Sequence, residues 1–170
     1  MPQLKDPNFE QTVVLLCEHG EDGALGLVVN RPTPFTLGDI YDGQDIEGRG
    51  DSGEPVHFGG PVQPEMGFVL YEGREYEGSL SALPGVHLGT SLEILRDIAA
   101  SRGPERFLFC LGYAGWAPDQ MEQELGRNDW LVVPATPEIL FRVPAEHRWE
   151  RAVRALGIEP GMLSGAFGTA

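Results

Sequence analysis

The sequence predicts a single α+β domain over residues 1–170, because its strand-like and helix-like patterns are unevenly distributed. Short apolar segments rich in Val and Leu occupy the first half, whereas helical periodicity appears mainly after residue 90. The Gly and Pro residues between the early segments suit hairpins, not the long crossovers that parallel strands need. Strands gathered early and helices interleaved late favour α+β over a regular βαβ array. No internal repeat or linker divides the chain.

The first third of the chain predicts a β-hairpin followed by a loop. Residues 12–19 and 24–30 are short and apolar, and Gly20-Glu-Asp-Gly23 between them is typical of a hairpin turn. Residues 39–55 then combine six carboxylates with four glycines. With almost nothing apolar to bury, this acidic segment is predicted to be a flexible, solvated loop. Further strands are predicted at residues 67–73, 78–82 and 86–89.

The first predicted helix follows Thr90, which begins a capping box with Glu93. Its apolar residues recur at helical spacing, and Gly103-Pro104 is predicted to end it. Residues 106–114 then form an apolar segment typical of a buried strand. The remaining predicted elements are a helix from Pro118 to about Gly126, a strand at residues 130–134, and a helix with Trp149, Ala152, Val153 and Leu156 on one face, stopped by Gly157.

Composition and charge exclude several classes of function. The net charge is −14, from 26 acidic and 12 basic residues, and such a field repels phosphate backbones and anionic lipid. Direct nucleic-acid binding is therefore disfavoured, and a protein or small molecule is the expected partner. No run of about 18 apolar residues predicts a membrane span. The N-terminus lacks the apolar region of a signal peptide, so a cytoplasmic location is predicted.

The stretch GRGDSGEP, residues 48–55, matches three well-known signatures, and we reject all three. The adhesion tripeptide requires an extracellular setting. A dinucleotide-binding turn requires a strand before its glycines and a helix after them, whereas Glu54-Pro55 follows here. A trypsin-like nucleophile lies late in a two-barrel chain, but Ser52 lies in the first third. Gly, Asp and Ser are the ordinary residues of a solvated loop.

Cys17 and His19 stand two residues apart on a predicted strand, so both side chains are expected on one face. This spacing suits a reactive thiol or half of a metal site. Zinc needs four ligands, and no second pair stands at ligand spacing. We therefore expect no metal and no cofactor, and we favour a core cysteine beside a surface histidine.

Three segments together resemble the YqgE/AlgH family: residues 6–33 with GLVVNRPT, residues 58–71 with FGGPV, and residues 111–135 with LGYAGW. The resemblance runs almost end to end, through residues 138–158. It implies an α+β fold built on a mixed, partly barrel-like sheet with helices packed outside. Some members carry the label of transcriptional regulator, and no particular reaction is implied. Members have an apolar strand ahead of the segment beginning at Met1, so this strand is expected to be missing here, which would expose a sheet edge.

The candidate binding residues lie around the same motifs. Asn30 ends a strand, where its side chain is expected to bond the backbone. Arg31 is expected to pair with a carboxylate, with an anionic ligand as the alternative. Gly59 and Gly60 permit a structural turn or offer N–H groups to an anion. Small residues beside two aromatics after residue 110 indicate either a ligand crevice or close packing. The full candidate set is Gly112, Tyr113, Gly115, Trp116, Asn30, Arg31, Gly59 and Gly60.

Three functions remain open from the sequence. We favour a non-enzymatic binding or regulatory module, since no catalytic constellation emerges. A thiol-dependent enzyme would use Cys17 with His19. A regulator acting on DNA would follow the label of some relatives, although the charge and the lack of a helix-turn-helix pattern count against it.

Overall fold

The computed structural model describes residues 6–165. Within that range the chain forms one eight-stranded sheet with helices packed outside it. The strands are β1 Val14–Gly20, β2 Gly23–Val28, β3 Pro32–Thr36, β4 Pro55–Phe58, β5 Val62–Glu72, β6 Leu80–Leu83, β7 Val86–Gly89 and β8 Phe107–Trp116. The helices are α1 Leu37–Gly43, α2 Leu92–Ala99, α3 Gln120–Gly126, a π-helical turn at Glu138–Arg142, α4 Ala145–Ala155 and α5 Pro160–Gly165.

The sheet is largely antiparallel and nearly closed, which confirms the predicted α+β class. Its main path runs β1-β2-β8-β5-β7-β6, while β4 joins β8 in parallel and β3 pairs with β4. The two ends of the path, β1 and β6, lie against each other without a shared hydrogen-bonded ladder among the described residues. β8 is central, because it pairs with β2, β4 and β5.

Three apolar clusters hold the elements together. The first core cluster fills the space enclosed by the sheet, and its members alternate along the strands, as Phe68 and Leu70 do on β5 and Leu108 and Cys110 do on β8. A second lies between the other sheet face and helices α1 and α2, around Tyr41 and Ile98. A third packs α3 onto the β1–β2 hairpin and the end of β8. Side chains on one face recur every two residues along a strand and about every 3.6 residues along a helix. This periodicity determines which residues of each element enter the clusters.

The hairpin prediction is confirmed, and its turn shows why glycine is needed there. β1 and β2 pair antiparallel, with Gly20 opposite Gly23. Gly23 has φ of +118°, and a Cβ on it would lie 2.2 Å from the carbonyl oxygen of Trp116. Only glycine combines this backbone conformation with so close an approach. The hairpin turn is therefore held against the end of β8.

The prediction of a flexible loop over residues 39–55 is wrong in its first part, where α1 forms. The capping box of this helix is made by Thr36 and Asp39. Tyr41 is fully buried in the second cluster and its hydroxyl donates to the carbonyl of Gly50 at 2.8 Å. Apolar residues at helical spacing, hidden among carboxylates, are enough to anchor this segment.

Two smaller predictions also differ from the structure. Residues 130–134 form no strand, because they share no ladder with a neighbouring strand among the described residues. The helix after residue 90 begins one residue later than predicted, with Ser91 as N-cap accepting from the Ile94 N–H, and it ends at Ala99. The missing apolar strand predicted ahead of Met1 lies outside the described residues. Across residues 6–165, no helix has the length and apolar character to cross a bilayer.

Candidate functional site

Asn30 and Arg31 hold the segment that precedes β1 instead of lining a cleft. The Asn30 side chain accepts from the Val13 N–H at 2.8 Å and donates to the Gln11 carbonyl at 2.9 Å. The Arg31 guanidinium donates to the carbonyls of Pro7 and Glu10, each at 2.6 Å. The predicted pairing of Arg31 with a carboxylate is wrong, because the main chain supplies its acceptors.

Gly59, Gly60 and Gly112 mark a place where two backbones cross in contact. The Gly59 N–H donates to the Leu111 carbonyl, so it is not available to an anion. A Cβ on Gly59 would lie 2.3 Å from the Gly112 carbonyl oxygen, and one on Gly60 would lie 2.1 Å from the backbone of Tyr113. These glycines are needed for close approach of main chains. They fit the structural turn, not the anion site.

The Trp116 side chain packs on the opposite face of β8 from that of Tyr113. Its ring is 7% exposed and packs in the third cluster with Ala114 and Met121. Its Nε1 donates to Glu124 at 2.9 Å, and the same carboxylate accepts from Trp130 at 2.7 Å. Glu124 therefore joins two indole rings. No sequence pattern predicts this role, because Glu124 has the spacing of an ordinary solvent-facing helix residue.

Cys17 and His19 do not act together. A β-bulge between Leu16 and Glu18 interrupts the alternation of β1, so the expectation of a shared face is wrong. Cys17 lies in the first core cluster, and burial, reinforced by the Glu18 carboxylate, raises the pKa of its thiol to about 12. The His19 Nε2 lies 2.5 Å from a Glu122 carboxylate oxygen on α3. Residues 6–165 contain no cluster of three or more His, Cys, Asp or Glu residues suited to a metal ion.

A groove opens on the enclosed side of the sheet, at the end nearest the β1–β2 turn. Its floor comes from three strands: Leu25 lies opposite Gly115 in the β2–β8 pair, and Val62 lies opposite Tyr113 in the β5–β8 pair. Leu25 and Tyr113 also pack against the first core cluster, so this floor continues the core to the surface. Gly115 is exposed and has no side chain, and the depression lies over it. We call this surface the Gly115 groove; its volume is about 540 Å³.

The rim of the Gly115 groove is acidic. Glu18 stands opposite Leu25 on β1, while Glu21 and Asp22 form the hairpin turn, and all three are exposed. None of these carboxylates has an ion pair with a described residue. No lysine or arginine lines the groove. The predicted residues Tyr113, Gly115, Trp116 and His19 all border this groove, whereas the acidic rim and the rest of the floor were not predicted, since these depend on strand register.

A second, more enclosed cleft is much smaller, at about 110 Å³. It lies between the start of β1, residues 130–136 and helix α4, and its walls are mainly apolar. Ligand sites for small molecules commonly measure about 300–1,000 Å³. The space is therefore too small for an ordinary metabolite.

A buried polar cluster lies deeper in the enclosed core. His57 is 4% exposed and lies beside Cys110 in the β4–β8 register, and its Nδ1 has no hydrogen-bond partner among the described residues. Burial, helped by the nearby Arg148 guanidinium, lowers the His57 pKa to about 4. Arg148 is buried as well, and it donates to the carbonyls of Val29 and Val143. No sequence pattern predicts that either side chain is buried.

The fold and the groove together define a class: a single-domain α+β protein with a nearly closed sheet and an open, acidic-rimmed surface groove. Comparison with known proteins gives the family. A family model described as AlgH-like matches residues 1–161, and the chain belongs to that family.

Relatives match along the whole chain. A UPF0301 protein of Ralstonia nicotianae is 50% identical over 173 residues, covering 100% of this chain and 91% of the relative. One from Burkholderia vietnamiensis is 48% identical over 175 residues, with the same coverage of 100% and 91%. The solution structure of the AlgH protein of Pseudomonas aeruginosa superposes with a TM-score of 0.82 at 42% identity, covering 100% of this chain and 92% of that one. The protein DIP2367 of Corynebacterium diphtheriae shares the fold, with a TM-score of 0.72 at 19% identity, covering 90% of this chain and 81% of that one.

Proposed function

We propose that this protein is a non-enzymatic binding module that takes up a segment of a partner protein in the Gly115 groove. The observation that supports this most is an apolar floor open to solvent beside carboxylates that no described residue neutralises. Apolar surface that stays exposed beside a polar rim is typical of interaction sites. A glycine inside a strand also marks places where another chain approaches closely.

The shape of the groove favours a protein over a small molecule. Sites for small molecules bury most of the ligand surface in a concave pocket. The Gly115 groove is a shallow depression across three strands, with one side formed by the hairpin turn. A ligand lying in it keeps one face in water, which suits a peptide segment whose remainder belongs to a larger protein.

No observation favours the other two functions from the sequence. Cys17 is 7% exposed with a raised pKa, and the thiolate is the reactive form of cysteine. The densest basic stretch, on α4, offers no strip for phosphates: Arg148 is buried, Arg151 pairs with Glu138 at 2.9 Å, and Arg154 lies 3.7 Å from Glu150. Strong DNA binding needs several free Lys or Arg side chains on one face.

A matched affinity capture tests the proposal. Immobilised wild-type protein and a Gly115→Val variant are exposed to the same cell lysate, and retained proteins are compared by quantitative mass spectrometry. A Cβ on Gly115 meets only Tyr113 at 3.4 Å and Val62 at 3.8 Å, so the variant fills the groove without meeting backbone. We expect at least one protein to be retained by the wild type and lost from the variant. Identical retention by both proteins contradicts binding in the groove.

A further inference from the structure

The groove also indicates the chemistry of its partner. Resting on the function proposed above, we propose that the Gly115 groove binds an extended, basic segment of a partner protein, with one aliphatic or aromatic anchor residue seated over Gly115 and neighbouring lysine or arginine residues facing Glu18 and the hairpin turn. The proposal rests on the floor, the rim and the strand register that joins them.

The floor provides a seat for a single apolar side chain. Val62 is exposed and Leu25 and Tyr113 are half-buried, so all three have surface available to a ligand. The atoms nearest to a Cβ built on Gly115 are Cε2 of Tyr113 at 3.4 Å and Cγ2 of Val62 at 3.8 Å. Because glycine lacks this Cβ, a gap is left beside both side chains, and an anchor side chain placed over Gly115 lies next to Tyr113 and Val62. Burying such a side chain removes apolar surface from water on both partners.

The rim selects the charge of the flanking residues. Glu18 lies in the same cross-strand row as Leu25 and Gly115, while Glu21 and Asp22 stand on the turn above that row. The anchor therefore enters with carboxylates on the β1 side and at the hairpin end. Three unpaired carboxylates on a chain of net charge −14 repel an acidic ligand and attract a cationic one before contact. Arginine and lysine residues of a partner supply the charge that the groove lacks.

The turn presents these carboxylates in a fixed position. Gly23 permits the hairpin turn to rest on the carbonyl of Trp116, and the neighbouring His19 pairs with Glu122 on α3. The rim is thus tied to β8 and α3 instead of projecting freely. A preorganised rim loses little entropy when a ligand binds.

The experiment uses short fluorescent peptides and fluorescence polarisation. One series varies the centre of the peptide among leucine, tyrosine and serine; the other varies the flanks among lysine or arginine, serine, and glutamate. The polyamine spermine serves as a competitor that has positive charge but no anchor. We expect peptides with basic flanks and an apolar centre to bind, and each other combination to bind at least tenfold more weakly.

Variants of the protein locate the site. Gly115→Val is expected to abolish binding of the best peptide; Val62→Lys, at an exposed position, gives a second block should Gly115→Val misfold.

Replacing the rim carboxylates together (Glu18→Gln, Glu21→Gln, Asp22→Asn) is expected to weaken binding about two- to fivefold per charge. The matched control removes three exposed carboxylates elsewhere, which have no ion pair among the described residues: Glu47→Gln, Glu75→Gln and Glu77→Gln. Raising salt from about 0.1 M to 1 M, which shortens the Debye length from about 10 to 3 Å, should mimic the rim variant.

Five outcomes contradict the inference in whole or in part. Equal loss in the rim and control variants shows that net charge acts, not the rim. Binding of basic peptides to Gly115→Val as well as to wild type places the site elsewhere. Competition by spermine as strong as that by the best peptide identifies a small polycation as the ligand. Binding that needs an apolar centre but ignores the flanks contradicts the basic requirement. Lysate proteins that depend on Gly115 while no peptide binds contradict recognition through an extended basic segment. In both cases the proposed binding function stands.

Discussion

Replacing His57 should make the protein less sensitive to acid. The His57 pKa is lowered from 6.5 to about 4, first by burial and then by the Arg148 guanidinium. The unfolded chain therefore takes up a proton on this histidine at a higher pH than the folded chain does. The stability contributed by neutral His57 is fully present above about pH 6.5 and is lost as pH falls through the range from 6.5 to about 4.

The size of this effect follows from the pKa shift. A shift from 6.5 to about 4 corresponds to about 3.5 kcal/mol at pH values below both, at about 1.4 kcal/mol per unit. At pH 4.5 about 2.5 kcal/mol of that is already lost, since the unfolded side chain is then almost fully protonated and the folded one mostly neutral. His57 is 4% exposed, so solvent screening reduces the figure little.

Urea unfolding followed by circular dichroism measures this difference. Wild type and His57→Met are each unfolded at pH 7.5 and pH 4.5, and the free energies of unfolding are compared between the two pH values. Protonation of carboxylates at the lower pH changes the stability of both proteins alike. Wild type should therefore lose about 2.5 kcal/mol more than the variant. His147→Gln removes an exposed histidine from α4 and should behave as wild type. An equal loss in wild type and His57→Met would refute the argument that burial keeps His57 neutral.

Three further predictions concern the sites described above. Trp116→Ala should destabilise the fold by about 3–5 kcal/mol, since the ring is 7% exposed, and a small shift of the urea midpoint would instead indicate a loosely packed ring. Cys17 should react slowly with iodoacetamide in the folded protein near neutral pH and quickly once urea unfolds it, because burial raises its pKa to about 12; rapid labelling of the folded protein would revive the thiol-enzyme hypothesis. The isolated protein should bind no duplex DNA specifically at physiological salt, and a competitor-resistant complex with one genomic fragment in a gel-shift assay would contradict this.

Local patterns were enough to predict the fold where the relevant contacts are local. The β1–β2 hairpin is indicated by its turn, and α4 by apolar residues at helical spacing, and the structure confirms both. α1 was missed because acidic residues dominate its composition, although Leu37, Ile40 and Tyr41 have the spacing of a helix face. Residues 130–134 have strand-like composition, but a strand also needs a neighbour to bond, which composition does not reveal.

The site was predictable only in part, for a related reason. Tyr113 and Gly115 lie on one strand, and a small residue beside aromatic residues in a single segment is enough to identify them as candidates. Leu25, Val62 and Glu18 reach the same surface through pairing registers that join β8 to β2 and β5, and β2 to β1. Registers depend on the whole sheet and on a bulge beside Cys17, so no local pattern places these residues together.

The way Asn30 and Arg31 hold the segment before β1 has a consequence for how the protein tolerates substitution. Their side chains bond main-chain atoms of residues 7, 10, 11 and 13, and every amino acid carries such carbonyls, while all but proline carry the N–H. The exposed side chains of Pro7, Glu10 and Gln11 can therefore be replaced without loss of these bonds, whereas Phe9 is constrained by its ring contact with Trp130. The two holding positions have no such freedom: Arg31 reaches two carbonyls at once with a planar fork, which lysine cannot reproduce. Constraint in this part of the molecule therefore falls on Asn30, Arg31 and the packed side chain of Phe9, while the exposed positions between them are left free to vary.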